Sequence, residues 1–227
     1  ASVYCLIAAA GVFLLYRPPH DLPDATSGAR VALTGQEWRL MLCAAAAWGI
    51  FNAAYVTYLA FAPMVLESNG QTAIVAAGII SIGSWIMIIS GAACGQFVDR
   101  FGQRNTVLAV CMGGAIAALL LLGLPGAGIG ASILFGLIGM APAGVIMAMA
   151  GQAMRPQVRA FGMGMFFTVY YAIMWITPPV AGAILDATGN PQGPLWLAMT
   201  LFAAVVPLGI AFQFLKCAPV TGQEEKV

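Results

Sequence analysis

Long apolar runs, separated by short charged or polar segments, dominate the hydrophobic pattern of the chain. The uncharged runs cover residues 40–66, 68–98, 105–154, 160–185 and 187–215. The third run is too long for one membrane helix, and "LPGAG" at 124–128 supplies a turn within it through its Pro-Gly pair. Because about 20 helical residues cross a hydrocarbon core about 30 Å thick, the pattern predicts six full spans. We place these spans near residues 40–63, 72–97, 105–123, 128–151, 160–185 and 194–215.

The segments outside the six spans complete the predicted organisation. Residues 1–16, "ASVYCLIAAAGVFLLY", are apolar, lack a basic leader and are somewhat short for a span. We interpret them as the remnant of a preceding transmembrane helix, joined by a loop at 17–39 to a six-helix domain at 40–215. The cytoplasmic tail covers 216–227, and its polar end, "TGQEEKV" at 221–227, is expected to be disordered.

Helices, rather than strands, are expected to cross the membrane. A helix satisfies its own backbone hydrogen bonds in lipid, whereas a barrel needs strands of about 10 residues that alternate polar and apolar side chains. That alternation is absent from the sequence. The expected fold class is therefore an all-α membrane protein with six transmembrane helices plus a partial preceding helix.

Composition supports a lipid environment and excludes several kinds of partner. Of the 227 residues, 61% are hydrophobic and 7% are charged, whereas a soluble domain carries about 25% charged residues. The net charge of +1 argues against a nucleic-acid partner. The five cysteines are scattered without metal-ligand spacing and are expected to be small apolar packing residues. We therefore expect no metal and no cofactor.

All nine basic residues fall on one side of the predicted topology. They lie in or at the borders of the first loop, in the third and fifth loops, and in the tail: Arg17, Arg30, Arg39, Arg100, Arg104, Arg155, Arg159, Lys216 and Lys226. The positive-inside rule makes this side cytoplasmic. We expect an integral multi-pass protein of the bacterial inner membrane, with its C-terminus in the cytoplasm. Arg155 and Arg159 either serve this orientation alone or also form contacts that change between conformations.

Two segments share the skeleton Gly-x-x-x-Asp-x-x-Gly. They read "GQFVDRFG" at 95–102 and "GAILDATG" at 182–189, and only the first carries an arginine. The two copies lie three spans apart, at corresponding helix ends on opposite predicted faces. This placement suggests a 3+3 inverted repeat, which is typical of secondary transporters. The difference in arginine content then follows from membrane orientation.

The first copy also resembles a known family signature. "GQFVDRFGQRNTVL", at 95–108, is similar to the signature loop of the major facilitator superfamily, in the form found between the eighth and ninth spans. "TPPVAGAILDATG", at 177–189, is similar to the Pro/Gly-rich eleventh span of many members. The resemblance covers nearly the whole chain, which looks like the carboxyl-terminal half of such a transporter, with 17–39 as the central cytoplasmic loop. The general character of the sequence is similar to that of cyanate-permease-like members of the family.

The resemblance implies a mechanism and a set of partners. It implies two six-helix halves with a solute site between them, and alternating access by rocking of one half against the other. The implied partners are a small solute, membrane lipid and the amino-terminal half of the same transporter. The expected function is that of a secondary permease, and the alternative is a non-transporting membrane protein for structure or assembly. An enzyme is not expected, because catalysis needs a nucleophile with a base or a metal set, and the single histidine, His20, has no second histidine as a partner.

The signature loop supports two interpretations. The family pattern favours a conformational latch, a charged contact that is made in one transport state and broken in the other, over a simple orientation signal with a helix cap. The motif positions are Gly95, Asp99, Arg100, Gly102 and Arg104. The carboxylate of Asp99 can accept hydrogen bonds from a neighbouring helix N-terminus, and the two arginines can pair with it or bind anionic lipid headgroups. Gly95 is expected to permit close helix packing and Gly102 a left-handed turn.

Uncharged polar and aromatic side chains mark a candidate solute path. No ionisable residue lies within a predicted core span, so an intramembrane charge for ion coupling is not expected in this chain. The candidates for the path are Asn52, Tyr55, Trp85, Tyr171 and Trp175. Asn52 could instead form an interhelical hydrogen bond, and the aromatic residues could pack or lie at the membrane interface. The family resemblance places the seventh, eighth, tenth and eleventh spans around the cavity and turns the ninth and twelfth toward lipid.

The predicted span at 128–151 has an unusually smooth face. Ser132, Gly136, Gly139 and Ala143 share one stripe of this helix, and Pro142 removes a backbone hydrogen bond within it. We expect this span to bend and to slide against a neighbouring helix.

Overall fold

A computed structural model of the chain describes residues 10, 11, 14 and 32–217. By its internal contacts the chain divides into two units, residues 1–31 and 32–227. Only three residues of the first unit are described, and all three are helical. The predictions for the preceding helix at 1–16, for most of the loop at 17–39 and for the end of the tail therefore lie outside the described residues.

The described part of the second unit consists of helices and short connections, without strands. Its helices are α1 (Gly35–Ser68), α2 (Ala73–Phe101), α3 (Arg104–Leu122), α4 (Gly128–Leu134), α5 (Ala143–Gln152), α6 (Arg159–Thr188) and α7 (Gln192–Cys217). A π-helical turn, Phe135–Gly139, follows α4, and a 3-10 turn, Pro156–Val158, precedes α6. When α4 and α5 are counted as one span, six stretches of the described chain are long and apolar enough to cross a membrane. The predicted all-α membrane fold with six spans is thus confirmed.

Helix α1 begins five residues before the predicted span, at Gly35. The cause is a capping box around Thr34. Its hydroxyl accepts a hydrogen bond from the Glu37 backbone N–H at 3.3 Å, and the Glu37 carboxylate accepts one from the Thr34 backbone N–H at 2.8 Å. Because such a box satisfies the open amides of the first turn, residues 35–39 are helical rather than part of the loop.

Helix α1 is the central element of the bundle. It packs mainly against α7 and α6, and less extensively against α2 and α5, while α3 packs against α7 and the π-helical turn. Buried aromatic rings join three of these elements: the ring centroid of Phe135 lies 3.9 Å from that of Tyr58 and 5.8 Å from that of Phe202. Phe202 in turn lies 5.9 Å from Phe51. We call Phe51, Tyr58, Phe135 and Phe202 the aromatic column.

The span that comprises α4 and α5 is interrupted between the two helices and does not simply bend. The Met140 backbone N–H bonds to the carbonyl of Phe135 at 3.0 Å, five residues back, so the chain makes a π-helical turn. On α2, Ser90 donates its hydroxyl to the carbonyl of Gly136 at 2.6 Å. After the turn, Pro142 precedes the first residue of α5. The expected irregularity is therefore present, but it begins seven residues before the proline.

Candidate functional site

The two copies of the Gly-x-x-x-Asp-x-x-Gly skeleton end their helices in the same way. Gly102 closes α2 with φ 70°, and its N–H bonds to the carbonyl of Val98 at 2.8 Å. Gly189 closes α6 with φ 62°, and its N–H bonds to the carbonyl of Leu185 at 2.8 Å. A side chain at either position would be strained, since L-residues rarely adopt positive φ. The left-handed turn predicted at Gly102 is therefore present, and the second copy repeats it at the opposite end of the bundle.

Near Gly102, the charged residues of the signature loop do not pair with one another. Asp99 is exposed and makes no hydrogen bond or ion pair within the described part of the chain. The guanidinium carbon of Arg100 lies 5.8 Å from the centroid of the Phe101 ring. Arg104 donates from Nη1 to the Oε1 atom of Gln152 at 2.9 Å. The latch role of Asp99 stays a prediction.

The close helix approach expected at Gly95 occurs elsewhere on α2. Apart from its chain neighbours and the nearby backbone of α2, no atom of the described chain lies within 4 Å of the position that a Cβ of Gly95 would occupy. A Cβ on Gly83, by contrast, would lie 2.7 Å from the carbonyl oxygen of Ser132. Helix α2 therefore packs most closely on α4 and the π-helical turn, and Gly95 has open space beside it.

An ion pair that the sequence interpretation missed joins the start of α1 to the loop before α6. Arg155 donates to the carboxylate of Glu37 from Nε at 2.8 Å, from Nη2 at 3.1 Å and from its backbone N–H at 3.1 Å. Glu37 is 7% exposed, whereas the Arg155 side chain is half exposed. Hydrogen bonding to this carboxylate raises the pKa of Arg155. The available signal was "TGQE" at 34–37, a capping-box sequence.

Basic residues from three helices gather at the end of α5. The Oε1 atom of Gln152 accepts a hydrogen bond from Lys216 Nζ at 3.2 Å in addition to the one from Arg104. Arg159 donates from Nη2 to the carbonyl of Gly151 at 3.3 Å. These contacts place basic residues of the third loop, the fifth loop and the end of α7 at the same end of the bundle. We call Arg104, Gln152, Arg159 and Lys216 the Gln152 cluster.

Two of the five solute-path candidates lie on α1 near the aromatic column. Asn52 is half-buried and donates from Nδ2 to the carbonyl of Trp48 at 2.8 Å, within its own helix. Tyr55 is half-buried, and its ring stacks near Tyr58 and Phe135, with centroid separations of 6.5 Å and 6.3 Å. The structure thus shows an intrahelical bond for Asn52 in place of an interhelical one, and a packing contact for Tyr55.

The other three candidates lie on exposed faces of α2 and α6. The exposed fraction is 73% for Trp85, 63% for Tyr171 and 80% for Trp175. Tyr171 contacts Tyr170 of its own helix, with ring centroids 4.7 Å apart. Within the part of the chain that the structure describes, no ring contact joins these three residues to Tyr55. The structure thus places two of the candidates beside the aromatic column and three on exposed helix faces, and their role in solute contact stays a prediction.

Comparison with known proteins identifies one family. A family model described as Major Facilitator Superfamily matches residues 1–178, which extends from the start of the chain into α6. No curated protein matches the chain. The likeness to cyanate-permease-like members stays a prediction.

Proposed function

Since the chain belongs to the Major Facilitator Superfamily, we propose that it forms half of a secondary transporter that moves a small solute by alternating access. The family is one of transporters rather than enzymes, and the six apolar helices make the protein an integral multi-pass membrane protein. We further propose the bacterial inner membrane as its location, with the basic end of the bundle in the cytoplasm. Family membership does not favour the alternative of a non-transporting assembly protein.

The observation that carries this proposal is the pair of matching helix ends at Gly102 and Gly189. They end α2 and α6 with the same φ region and the same hydrogen bond, at opposite ends of the bundle. This relation supports a 3+3 inverted repeat, an arrangement that is typical of secondary transporters that work by alternating access. The two helices are also the least buried of the six spans. Their exposed faces are where we propose that the amino-terminal six-helix half and the solute are bound.

Water accessibility tests the proposed solute path and does not require the solute to be identified. In a cysteine-free full-length protein, Trp175→Cys is expected to react with a membrane-impermeant thiol reagent about tenfold or more faster than Trp196→Cys, because the reactive thiolate forms in water and not in lipid. Trp196 is the matched control, since it is a 57% exposed tryptophan on α7, the span that the family resemblance turns toward lipid. Equal and slow labelling at both positions would remove Trp175 from the path.

The latch proposal for Asp99 predicts that loss of its charge changes the side of the membrane from which the solute path is accessible. A contact at the cytoplasmic end holds that end closed, so Asp99→Asn is expected to abolish transport and to raise cytoplasmic labelling of Trp175→Cys about tenfold, the effect of ~1.4 kcal/mol on a two-state equilibrium. Protein amount in the membrane should not change. Glu67→Gln is the control, because Glu67 is also an exposed carboxylate in the last turn of a helix, at the other end of the bundle.

The same measurement separates the latch from the alternative role of the loop. If Asp99→Asn leaves labelling from both sides and transport at the wild-type level, the loop acts as an orientation signal and helix end only. A fall in protein amount without a change in labelling per molecule would support the same conclusion.

A further inference from the structure

The Gln152 cluster combines several cations with a neutral acceptor. The side-chain oxygen of Gln152 accepts hydrogen bonds from both Arg104, at 2.9 Å, and Lys216, at 3.2 Å. Clustered cations are ordinarily paired with carboxylates, which form shorter and stronger bonds with them than a neutral amide does. An amide oxygen orients the two cations but leaves their charges uncompensated.

No carboxylate of the described chain neutralises the cluster. Glu37, at the same end of the bundle, accepts three hydrogen bonds from Arg155 and two from Thr34. Asp99 forms no ion pair with any residue in the described ranges. The cluster therefore carries the positive charges of Arg104, Arg159 and Lys216 without a described counter-charge.

The end of α5 compensates only part of this positive charge. The last carbonyls of a helix carry the equivalent of about half a negative elementary charge, and Arg159 already contacts one of them, on Gly151. Three cations thus exceed what the helix end can compensate. The cluster is better suited to a bound anion than to helix capping alone.

The position of the cluster along the bundle indicates the source of the anion. Arg104 immediately precedes the uncharged run 105–154, and Lys216 immediately follows the uncharged run 187–215. Both cations thus lie where the apolar part of a span ends, at the depth of lipid headgroups. We propose that the Gln152 cluster binds one phosphate group, and that this group is the headgroup phosphate of an anionic lipid.

Gln152→Glu is the most direct test, because it keeps every cation and supplies an internal carboxylate between two of them. The full-length protein is placed in nanodiscs of phosphatidylglycerol and phosphatidylcholine, and the lipids retained by the protein are counted by native mass spectrometry. Wild-type protein should retain phosphatidylglycerol in preference to phosphatidylcholine. Gln152→Glu should lower that preference about tenfold while its melting temperature stays equal or rises.

Two further variants make the result specific to the cluster. Lys216→Gln removes an exposed cation of the cluster and should also lower retention of phosphatidylglycerol. Arg39→Gln removes an exposed cation in the first turns of α1, at the same end but outside the cluster, and should leave retention unchanged. Wild-type retention in both Gln152→Glu and Lys216→Gln would overturn the proposal, as would an equal loss in Arg39→Gln.

Inorganic phosphate distinguishes the lipid from a free anion. In nanodiscs of phosphatidylcholine alone, added inorganic phosphate is titrated while the melting temperature is followed. The proposal expects no stabilisation at millimolar phosphate, since a free ion lacks the acyl chains that hold a headgroup at the cluster. Stabilisation of wild-type protein but not of Gln152→Glu, without a preference for phosphatidylglycerol, would assign the site to free phosphate and overturn the lipid source.

Discussion

Replacing Gly136 by alanine is expected to destabilise the six-helix unit by about 3 kcal/mol, the upper part of the range for overpacking. A Cβ at this position would overlap the carbonyl oxygen of Gly83 and lie 2.8 Å from the Gly83 Cα atom. Both surfaces are backbone, so no side chain can rotate away. The extra methyl group can be accommodated only if α2 moves off the π-helical turn, which would also stretch the 2.6 Å hydrogen bond from Ser90 to Gly136.

Gly144→Ala, one element further along the same span, is the matched control for Gly136→Ala. Apart from its chain neighbours and the nearby backbone of α5, no described atom lies within 4 Å of the position of its Cβ, so this change should be neutral or slightly stabilising. Thermal unfolding of the purified full-length protein in detergent measures both variants. Equal melting temperatures for the two would mean that the backbones of α2 and the π-helical turn are not in contact in the membrane protein.

Loss of Arg155 is the second large effect that we expect. Arg155→Gln removes the counter-charge of Glu37, a carboxylate that is 7% exposed, and the buried charge then destabilises the fold. We expect the melting temperature to fall by about 5 °C. Arg159→Gln should change it much less, because Arg159 is exposed and its bond to the Gly151 carbonyl is long, at 3.3 Å.

A double variant identifies the cause of the Arg155 effect. In Glu37→Gln with Arg155→Gln, neither charge remains, so we expect the melting temperature to recover by at least half of the loss. Non-additivity of this kind is the mark of a direct interaction between two side chains. If the two single losses simply add, the destabilisation comes from helix capping and packing, and the ion pair contributes little.

The sequence was most informative about elements that depend on one segment at a time. Four spans are predicted by uncharged runs of their own and two by the run at 105–154 with its Pro-Gly turn, and the structure places helices at all six. Gly102 was also predictable, because the left-handed turn is a local property of glycine after a helix. The start of α1 was placed too late, since the hydrophobic run begins at Leu40 whereas the capping box begins the helix at Gly35.

Contacts between distant residues were not predictable in the same way. Glu37 and Arg155 are separated by 118 positions, and nothing in either local sequence indicates the other. Gly95 and Gly83 are both glycines of α2, yet only Gly83 contacts a neighbouring backbone. Likewise the five solute-path candidates are all polar or aromatic, but the structure divides them between the surroundings of the aromatic column and two exposed helix faces.

By itself the sequence determined that the chain spans a membrane, how many times it does so, and that two Gly/Asp/Gly corners end corresponding helices. Transfer of apolar side chains into lipid is additive along a segment, and helix ends depend on neighbouring residues, so both can be inferred without a fold. Tertiary structure alone decided which glycines are in contact, where the span before α5 breaks, and which charges meet. These depend on how helices dock, because the contact of Ser90 with Gly136 in the π-helical turn and the ion pair of Arg155 with Glu37 each join residues from distant parts of the chain.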